Sequence, residues 1–448
     1  MIPVLLSELV AACGGKYTGS GRLLHSHIPN IVIDSRNCGG GALYVPIRGD
    51  RFDGHVFIDD ARAHGAAITL TDRPLERGPY ILVSDTLTAL QSLAEHYMRK
   101  FTIPVVGVTG SMGKTSTKEM VASVLSEKFA VHKNIGNLNN QTGLPQTIFS
   151  LDSSYDISVM EMGTNHFGEI ERLSYMAKPS VCVFTNIGIS HIEHLGSREG
   201  ILKEKLDLLK HAKPGAAVIV NGDDDLLSTI PNATTFGLTK DSDVYPEDIV
   251  DKGLDGITFT AVCEGKRQRI TVHAPGRHMV ENALCAIAVG RYFGMELDSL
   301  AAGIEAYAPQ HGRMDVIKTD RFTIIDDSYN SNPTSVMSAI DVLEMTRGRR
   351  VAVLGDMLEL GDDSDEFHEV IGMYAARHGI DLIVCIGPNA ENAFYGAHAI
   401  APHRARYFGD RDALERMLPG LLRDGDVILV KGSRGLALEH TVAMLKEL

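Results

Sequence analysis

Cysteine is scarce in this chain, with six in 448 residues, and none stands in a C-x-x-C arrangement. Cys13, Cys38, Cys182, Cys263, Cys285 and Cys385 are too scattered for a disulfide framework or a zinc site, and read as thiols of a reducing compartment. Positive charge is also short. Forty-three Lys and Arg stand against 57 Asp and Glu, a net charge of −14, which argues against general binding to nucleic acid or anionic membranes. Local basic sites for a small anion remain open. No stretch approaches the ~18 consecutive apolar residues of a membrane span. The N-terminal run MIPVLLSELVAACGG lacks a basic leader and is broken by Glu8, so it reads as a first helix and not as a signal peptide. Internal repeats and low-complexity segments are missing too. What is present, 44% hydrophobic and 22% charged residues, is the composition of a soluble globular protein, expected in the cytoplasm. At ~150 residues per domain the length suggests about three domains.

Residues 1–98 carry short β-like runs, NIVIDSR, ALYVPIRG, AAITLTD and YILVSD, and close on the helical TALQSLAEHYMRKF. Residues 99–311 alternate. The strand-like PVVGVTG is followed by TSTKEMVASVLSEKF with helical apolar spacing, then by the runs YDISVMEMG, VCVFTNIG and AAVIVNGDDD, and by the apolar helix ENALCAIAVGRYFG. After the Pro- and Gly-containing APQHGRMD, residues 312–448 alternate again through FTIIDDSYNSNP, RVAVLGDM, DLIVCIG and DVILVKGSRG. The expected class is α/β with three domains: a small N-terminal α/β domain, a central parallel-sheet domain of P-loop ATPase type, and a C-terminal α/β domain of dinucleotide-fold type.

The stretch VVGVTGSMGKTSTKEM, residues 105–120, is a variant phosphate loop. In the strict pattern G-x-x-x-x-G-K-[ST] the first glycine would fall on residue 108, which is Val108; the glycines are Gly107, Gly110 and Gly113. Its setting after an apolar strand and before a helix is the one in which backbone N–H groups and the helix dipole converge on phosphate oxygens. Lys114 would reach the β- and γ-phosphates, and Thr115 a magnesium ion. A metal needs further ligands, and Glu161 at the end of an apolar strand, with Asn186, His191 and His194 after the next, are candidates. An acid at a strand end is also a common surface or capping residue. Asn134, Asn137, Asn139 and Asn140 crowd NIGNLNNQTGLPQT, where asparagine also serves turns. A regulatory GTPase would need an N-K-x-D segment, which is missing. A small-molecule kinase does not explain a third α/β domain of this size. A ligase that activates a carboxylate as an acyl phosphate would use all three regions, closing over the intermediate to exclude water.

The runs GVTGSMGKTSTKEM, NIGNLNNQTGLPQT, EMGTNHFGEI and TNIGISHIEHLGSREGILKEKLDLL together resemble the central domain of the Mur ligases, whose loop has the T-G-x-x-G-K-[ST] form seen here. Three further stretches, IDSRNCGGGALYVPIRGDRFDGHVFIDDA, IIDDSYNSNP and VLGDMLELG, and the missing D-N-P-R tetrapeptide, make the chain most similar to the branch that adds D-alanyl-D-alanine to UDP-N-acetylmuramoyl-tripeptide. A related ligase adding a single amino acid, a third-step Mur ligase or a polyglutamate synthetase, is the alternative. The resemblance implies ATP, magnesium (two ions), peptidoglycan precursor synthesis, the tripeptide and dipeptide as partners, and a monomer without nucleic-acid or membrane partners. It implies that Gly110, Ser111, Met112, Gly113, Lys114, Thr115 and Ser116 cradle the phosphates, with Asn282, Asn332 and Arg313 also on ATP. Thr115, Glu161, His191 and Lys205 would hold magnesium, Lys205 as a carbamate, with Lys203 as the competing choice for the modified lysine. Ser35, Arg36, Asp53, Gly54 and His55 would meet the UDP-sugar, although Arg36 also suits a surface ion pair. Asn140, Asp326, Tyr329, Asp356, Glu359 and Leu360 complete the substrate side. Domain roles follow: 1–98 for the UDP-sugar peptide, 99–311 for ATP, and 312–448 for the incoming dipeptide.

Overall fold

The computed structural model describes residues 1–49 and 52–448, so Asp50 and Arg51 of the IRGDRFDG stretch lie outside the described residues. The chain forms two compact units, one of Met1–Thr109, Lys128–Val183 and Lys203–Val218, the other of Gly110–Glu127, Phe184–Leu202 and Ile219–Leu448.

In the first unit the four β-like runs near the N-terminus become strands Ile31–Val32, Leu43–Tyr44, Ile68–Thr71 and Tyr80–Leu82, parallel and adjacent in that order; Lys16–Thr18 adds antiparallel to the last. The expected first helix is Leu6–Ala12, with Val4–Leu5 before it pairing with His27–Ile28. Helix Thr86–Met98 starts where the Asp85 carboxylate accepts the Thr88 N–H at 2.7 Å. Its buried face, Ala89, Leu90, Leu93, Ala94 and Tyr97, follows the helical period. The Tyr97 hydroxyl, inside that face, donates to the Leu151 carbonyl at 2.6 Å and accepts the Ile2 N–H at 2.7 Å. Beyond Pro104, Val105–Thr109 lies between Val181–Phe184 and Ile157–Glu161, with Val131–Lys133 outermost. The three inner strands are buried throughout, which is why they read as unbroken apolar runs and not as alternation.

In the second unit helix Lys114–Ser126 packs on His278–Tyr292 and Leu297–Glu305. Gly303 permits the approach: a Cβ there would stand 2.5 Å from the Val124 Cα. Residues 219–221 pair in parallel with Thr234–Phe236. After that the strand–helix alternation stops, and Val244–Asp251, Ile257–Cys263 and Lys266–Val272 form an antiparallel meander. Its second turn is Glu264-Gly265, both left-handed (φ 51° and 75°), a two-residue turn whose twist matches the strands it joins. Glu-Gly is a weak hairpin signal compared with Asn-Gly, so the sequence hides it.

The C-terminal part of this unit is a six-stranded sheet in the order Asp315–Lys318, Thr323–Asp327, Val427–Lys431, Arg350–Gly355, Leu382–Ile386 and Ala405–Phe408, parallel except for the first strand. Alternate residues feed two cores. Ile325, Ala352, Leu354, Ile383, Cys385 and Leu429 face one side, and Ile324, Val351, Val353, Val384, Ile428 and Val430 the other. Asp327 and Lys431, at the carboxyl ends of adjacent strands, pair at 2.5 Å.

Candidate active site

In the second unit the phosphate loop turns into its helix at Gly113, whose φ of 73° places a residue without a side chain at the cap. The amino end of Lys114–Ser126 therefore presents backbone donors with no side-chain cap over them, the electrostatics that favour an anion. The segment 185–188 props the loop from behind. The Thr185 hydroxyl donates to the Met112 carbonyl at 2.6 Å, the Asn186 side-chain oxygen accepts the Met112 N–H at 2.9 Å, and its main-chain oxygen accepts the Ser111 N–H at 2.9 Å. The amides of Ser111 and Met112 thus shape the loop instead of pointing outward. Lys114 Nζ donates to the Gly110 and Ser111 carbonyls at 2.8 and 3.2 Å, which holds its ammonium over the loop's own turn. Asn282 takes a hydrogen bond from Thr117 Oγ1 at 2.9 Å, so it stands against the loop's helix, and Ser116 is hydrogen-bonded to Tyr307.

The same unit holds the C-terminal candidates. The Arg313 guanidinium lies 4.2 Å from the centre of the Tyr329 ring. Asp326 accepts the Gly312 N–H at 3.2 Å and the Ser328 hydroxyl at 2.6 Å; burial pushes its carboxyl up and Ser328 pulls it back. Asn332 caps helix Pro333–Glu344 in a reciprocal box with Ser335, and its amide nitrogen donates to Ser190 Oγ at 3.4 Å. His191 and Glu359 both adopt left-handed backbone (φ 61° and 63°), and His191 Nδ1 stands 2.6 Å from a Glu359 carboxylate oxygen, off the line of a hydrogen bond. Beside them opens a cavity of about 480 Å³ with Glu193, Glu359 and Asp362 in its wall and, among the described residues, no Lys or Arg. Leu360 lines it while reaching the hydrophobic core. Asp356 is buried, with its carboxylate on the Ala390 N–H at 2.7 Å and its carbonyl on the Ser433 N–H at 2.9 Å; burial pushes the carboxyl up.

In the first unit Glu161 ends its strand level with Val108, two residues before the loop begins. The asparagine-rich segment is what holds it. Asn134 takes the Glu161 N–H and gives to the Glu161 carbonyl, both at 2.9 Å, and Asn139 donates to its carboxylate at 2.7 Å. Asn140 instead receives the Gly143 N–H at 2.8 Å, at the start of helix Gly143–Phe149. In helix Arg198–Leu206, Lys203 is exposed while Lys205 is 1% exposed. Burial separates the two lysines where spacing could not. Nearer the N-terminus, Ser35 donates to Asp60 at 2.5 Å, and Arg36, 79% exposed at its side chain, pairs with Asp34 at 2.6 Å. Asp53 bonds His55 at 2.6 Å and Arg73 at 2.7 Å, and Arg48 pairs with Asp72 at 2.8 Å. The His55 backbone N–H, then its ring and Arg73, hold Asp53 well below the usual carboxylate range. At Gly54 a Cβ would meet the Ile47 backbone at 2.7 Å. Arg48 and Arg73 are cations of this cluster that the sequence reading omits, since each looks there like any surface arginine. Among the described residues no helix is long and apolar enough to cross a membrane.

Comparison with known proteins gives family matches along most of the chain. Residues 27–98 match the family described as Mur ligase family, catalytic domain; 108–290 match Mur ligase middle domain; and 312–434 match Mur ligase, glutamate ligase domain. The UDP-N-acetylmuramoyl-tripeptide--D-alanyl-D-alanine ligase of Bacillus subtilis (strain 168) is 39% identical over 431 residues, covering 94% of this chain and 93% of that one. The chain belongs to the Mur ligase family. A crystal structure of MurF from Acinetobacter baumannii superposes with a TM-score of 0.91 at 30% identity, covering 100% of this chain and 99% of that one. MurF ligase from Thermotoga maritima in complex with ADP gives a TM-score of 0.83 at 30% identity, covering 93% and 97%. The Mur ligase middle-domain match contains the loop, Glu161, His191, Lys205 and Asn282; the glutamate ligase match contains Arg313 to Leu360 of the candidates.

Proposed function

We propose that this Mur ligase joins D-alanyl-D-alanine to UDP-N-acetylmuramoyl-tripeptide at the expense of ATP, forming the UDP-linked pentapeptide of peptidoglycan precursor synthesis. The observation that carries this reading is that likeness to ligases of that name runs the length of the chain, with the phosphate loop intact. A carboxylate is a poor electrophile. Its oxygen attacks the γ-phosphorus, ADP leaves, and the resulting acyl phosphate has both an activated carbonyl and a leaving group. The dipeptide's neutral amine then attacks that carbon, phosphate departs with the C–O pair, and the amine loses a proton to solvent.

The backbone donors at the amino end of Lys114–Ser126, together with Lys114, neutralise charge that develops on the transferred phosphoryl group. Thr115, Glu161 and His191 would hold magnesium, and their types suit it: a hydroxyl, a carboxylate that Asn139 orients, and an imidazole. When bound, the metal would offset triphosphate charge and polarise the γ-phosphate. Lys205 would be carbamylated: its neutral Nζ bonds the carbon of carbon dioxide and releases a proton, and the ammonium site becomes an anion. Asn282, Asn332 and Arg313 would meet ATP, and Arg313 its phosphates. Ser35, Arg36, Asp53, Gly54 and His55 serve the UDP-sugar within 1–98; Asn140, Asp326, Tyr329, Asp356, Glu359 and Leu360 serve the peptide substrates, with 99–311 for ATP and 312–448 for the dipeptide. The acidic wall of Glu193, Glu359 and Asp362 suits the dipeptide's ammonium end. The enzyme would act as a monomer in the cytoplasm, where its nucleotide substrates are made.

The test is phosphate release from ATP and magnesium with the UDP-tripeptide, comparing D-Ala-D-Ala, single amino acids and no amine, with product mass checked. Release that needs both tripeptide and dipeptide supports the proposal. Release with a single amino acid moves the chain to a neighbouring ligase, and release independent of any acceptor refutes the ligase chemistry.

A further inference from the structure

Helix Arg198–Leu206 and the turn after it bury Ile201, Glu204, Lys205 and Leu208, one helical face. Two of the four residues on that face are charged types, an arrangement that costs stability unless each group is matched. Glu204 is matched in full view. It is 0% exposed, and its two oxygens accept the Gly168 N–H at 2.7 Å, the Ile170 N–H at 2.8 Å and the Thr164 hydroxyl at 3.2 Å. Those amides open helix Glu169–Ala177, whose cap residue is Gly168 at φ 85°, without a side chain of its own to satisfy them. Glu204 therefore caps that helix from 36 residues away.

The strand that ends at Glu161 reaches Gly168 through residues 162–167, and Thr164 within that link also bonds Glu204. One carboxylate thus ties the helix bearing Lys205 to the segment leaving Glu161. We propose that Glu204 is a positioning residue: by capping Glu169–Ala177 from outside it fixes where Lys205 stands relative to the Glu161 strand end, and so sets how readily Lys205 takes and keeps its carbamate. The proposal rests on the reading of Lys205 as the carbamylated lysine. It also explains why a carboxylate beside that lysine is harmless: its oxygens are occupied by helix and hydroxyl donors, not by the lysine's reaction.

The experiment compares the full-length wild type, Glu204→Ala, the isosteric Glu204→Gln and Lys205→Ala, titrated with ¹³C-bicarbonate. Carbamate is followed by ¹³C NMR, and kcat and KM for ATP are measured at each bicarbonate concentration. Glu204→Ala is expected to need about tenfold or more bicarbonate for half-formation of the carbamate. Excess bicarbonate should restore its kcat with KM for ATP little changed, and the Gly168 and Ile170 amides should exchange faster. Glu204→Gln, which keeps one acceptor oxygen, should fall between and serves if the alanine variant does not fold. A purely structural role would lower activity without moving the bicarbonate dependence, and that result overturns the proposal. A wild-type signal that persists in Lys205→Ala, or no wild-type carbamate at all, refutes the lysine reading instead.

Discussion

The phosphate loop and the helix Arg198–Leu206 solve the same problem, placing charge where charge is needed, by opposite means. The loop works with backbone: a left-handed glycine, a bare helix end, and a short turn propped by Thr185 and Asn186. Apart from those props its instructions are local, and the seven consecutive letters TGSMGKT announce it. The helix works with side chains buried among neighbours that are distant in sequence, and Glu204 finds its donors 34 to 40 residues away. Nothing in GILKEKLDLL marks Glu204 as a buried acid. Backbone sites are written in motifs, whereas buried charges are written in contacts.

That contrast can be broken most forcefully at the loop. Lys114→Ala should lower kcat on the order of 10²–10³-fold while melting temperature stays near wild type, because the lost cation serves the transition state. Near-normal phosphate release would refute the loop's role. At the helix, Lys205→Ala should impair ligation severely and Lys203→Ala hardly at all, since only the first is buried. Equal losses would erase the distinction drawn from burial.

A smaller effect is thermodynamic. Glu281, next to Asn282, is pushed up to about 7, first by burial and then by Asp223, with Arg277 opposing. A carboxyl raised in the folded state takes up more protons there than when unfolded, so stability is given up as pH climbs from the ordinary 4.5 through about 7. Glu281→Gln should therefore be more stable than wild type at pH 8 by roughly 2–3 kcal/mol, with the gap closing below pH 5 in denaturant titrations. A constant gap would place the effect elsewhere. Least of all, Arg36→Ala should leave the melting temperature unchanged, because the Arg36–Asp34 pair is exposed. A raised KM for the UDP-tripeptide would then mark Arg36 as a substrate contact, and an unchanged KM as a surface ion pair.

How much could be read from the letters follows the same division. The inner strands and their carboxyl-end residues were legible because fully buried parallel strands are unbroken apolar runs. The meander Val244–Val272 was not, since its exposed edge mixes charge with β-branched residues and its turn is Glu-Gly. Among the candidate groups, Asn134 and Asn139 looked like turn formers; only the structure shows them gripping Glu161. Arg48 and Arg73 acquire meaning only beside Asp72 and Asp53. That Lys205 is buried and Lys203 exposed is likewise something two residues of spacing cannot supply.

The cap that Glu204 lends to Glu169–Ala177 also sets an order of events during synthesis. As the chain leaves the ribosome, the amides of Gly168 and Ile170 emerge well before the carboxylate that will satisfy them. Until residue 204 has been made, those two amides lack the carboxylate that accepts them in the folded chain, and the lysine beside Glu204 is made with it.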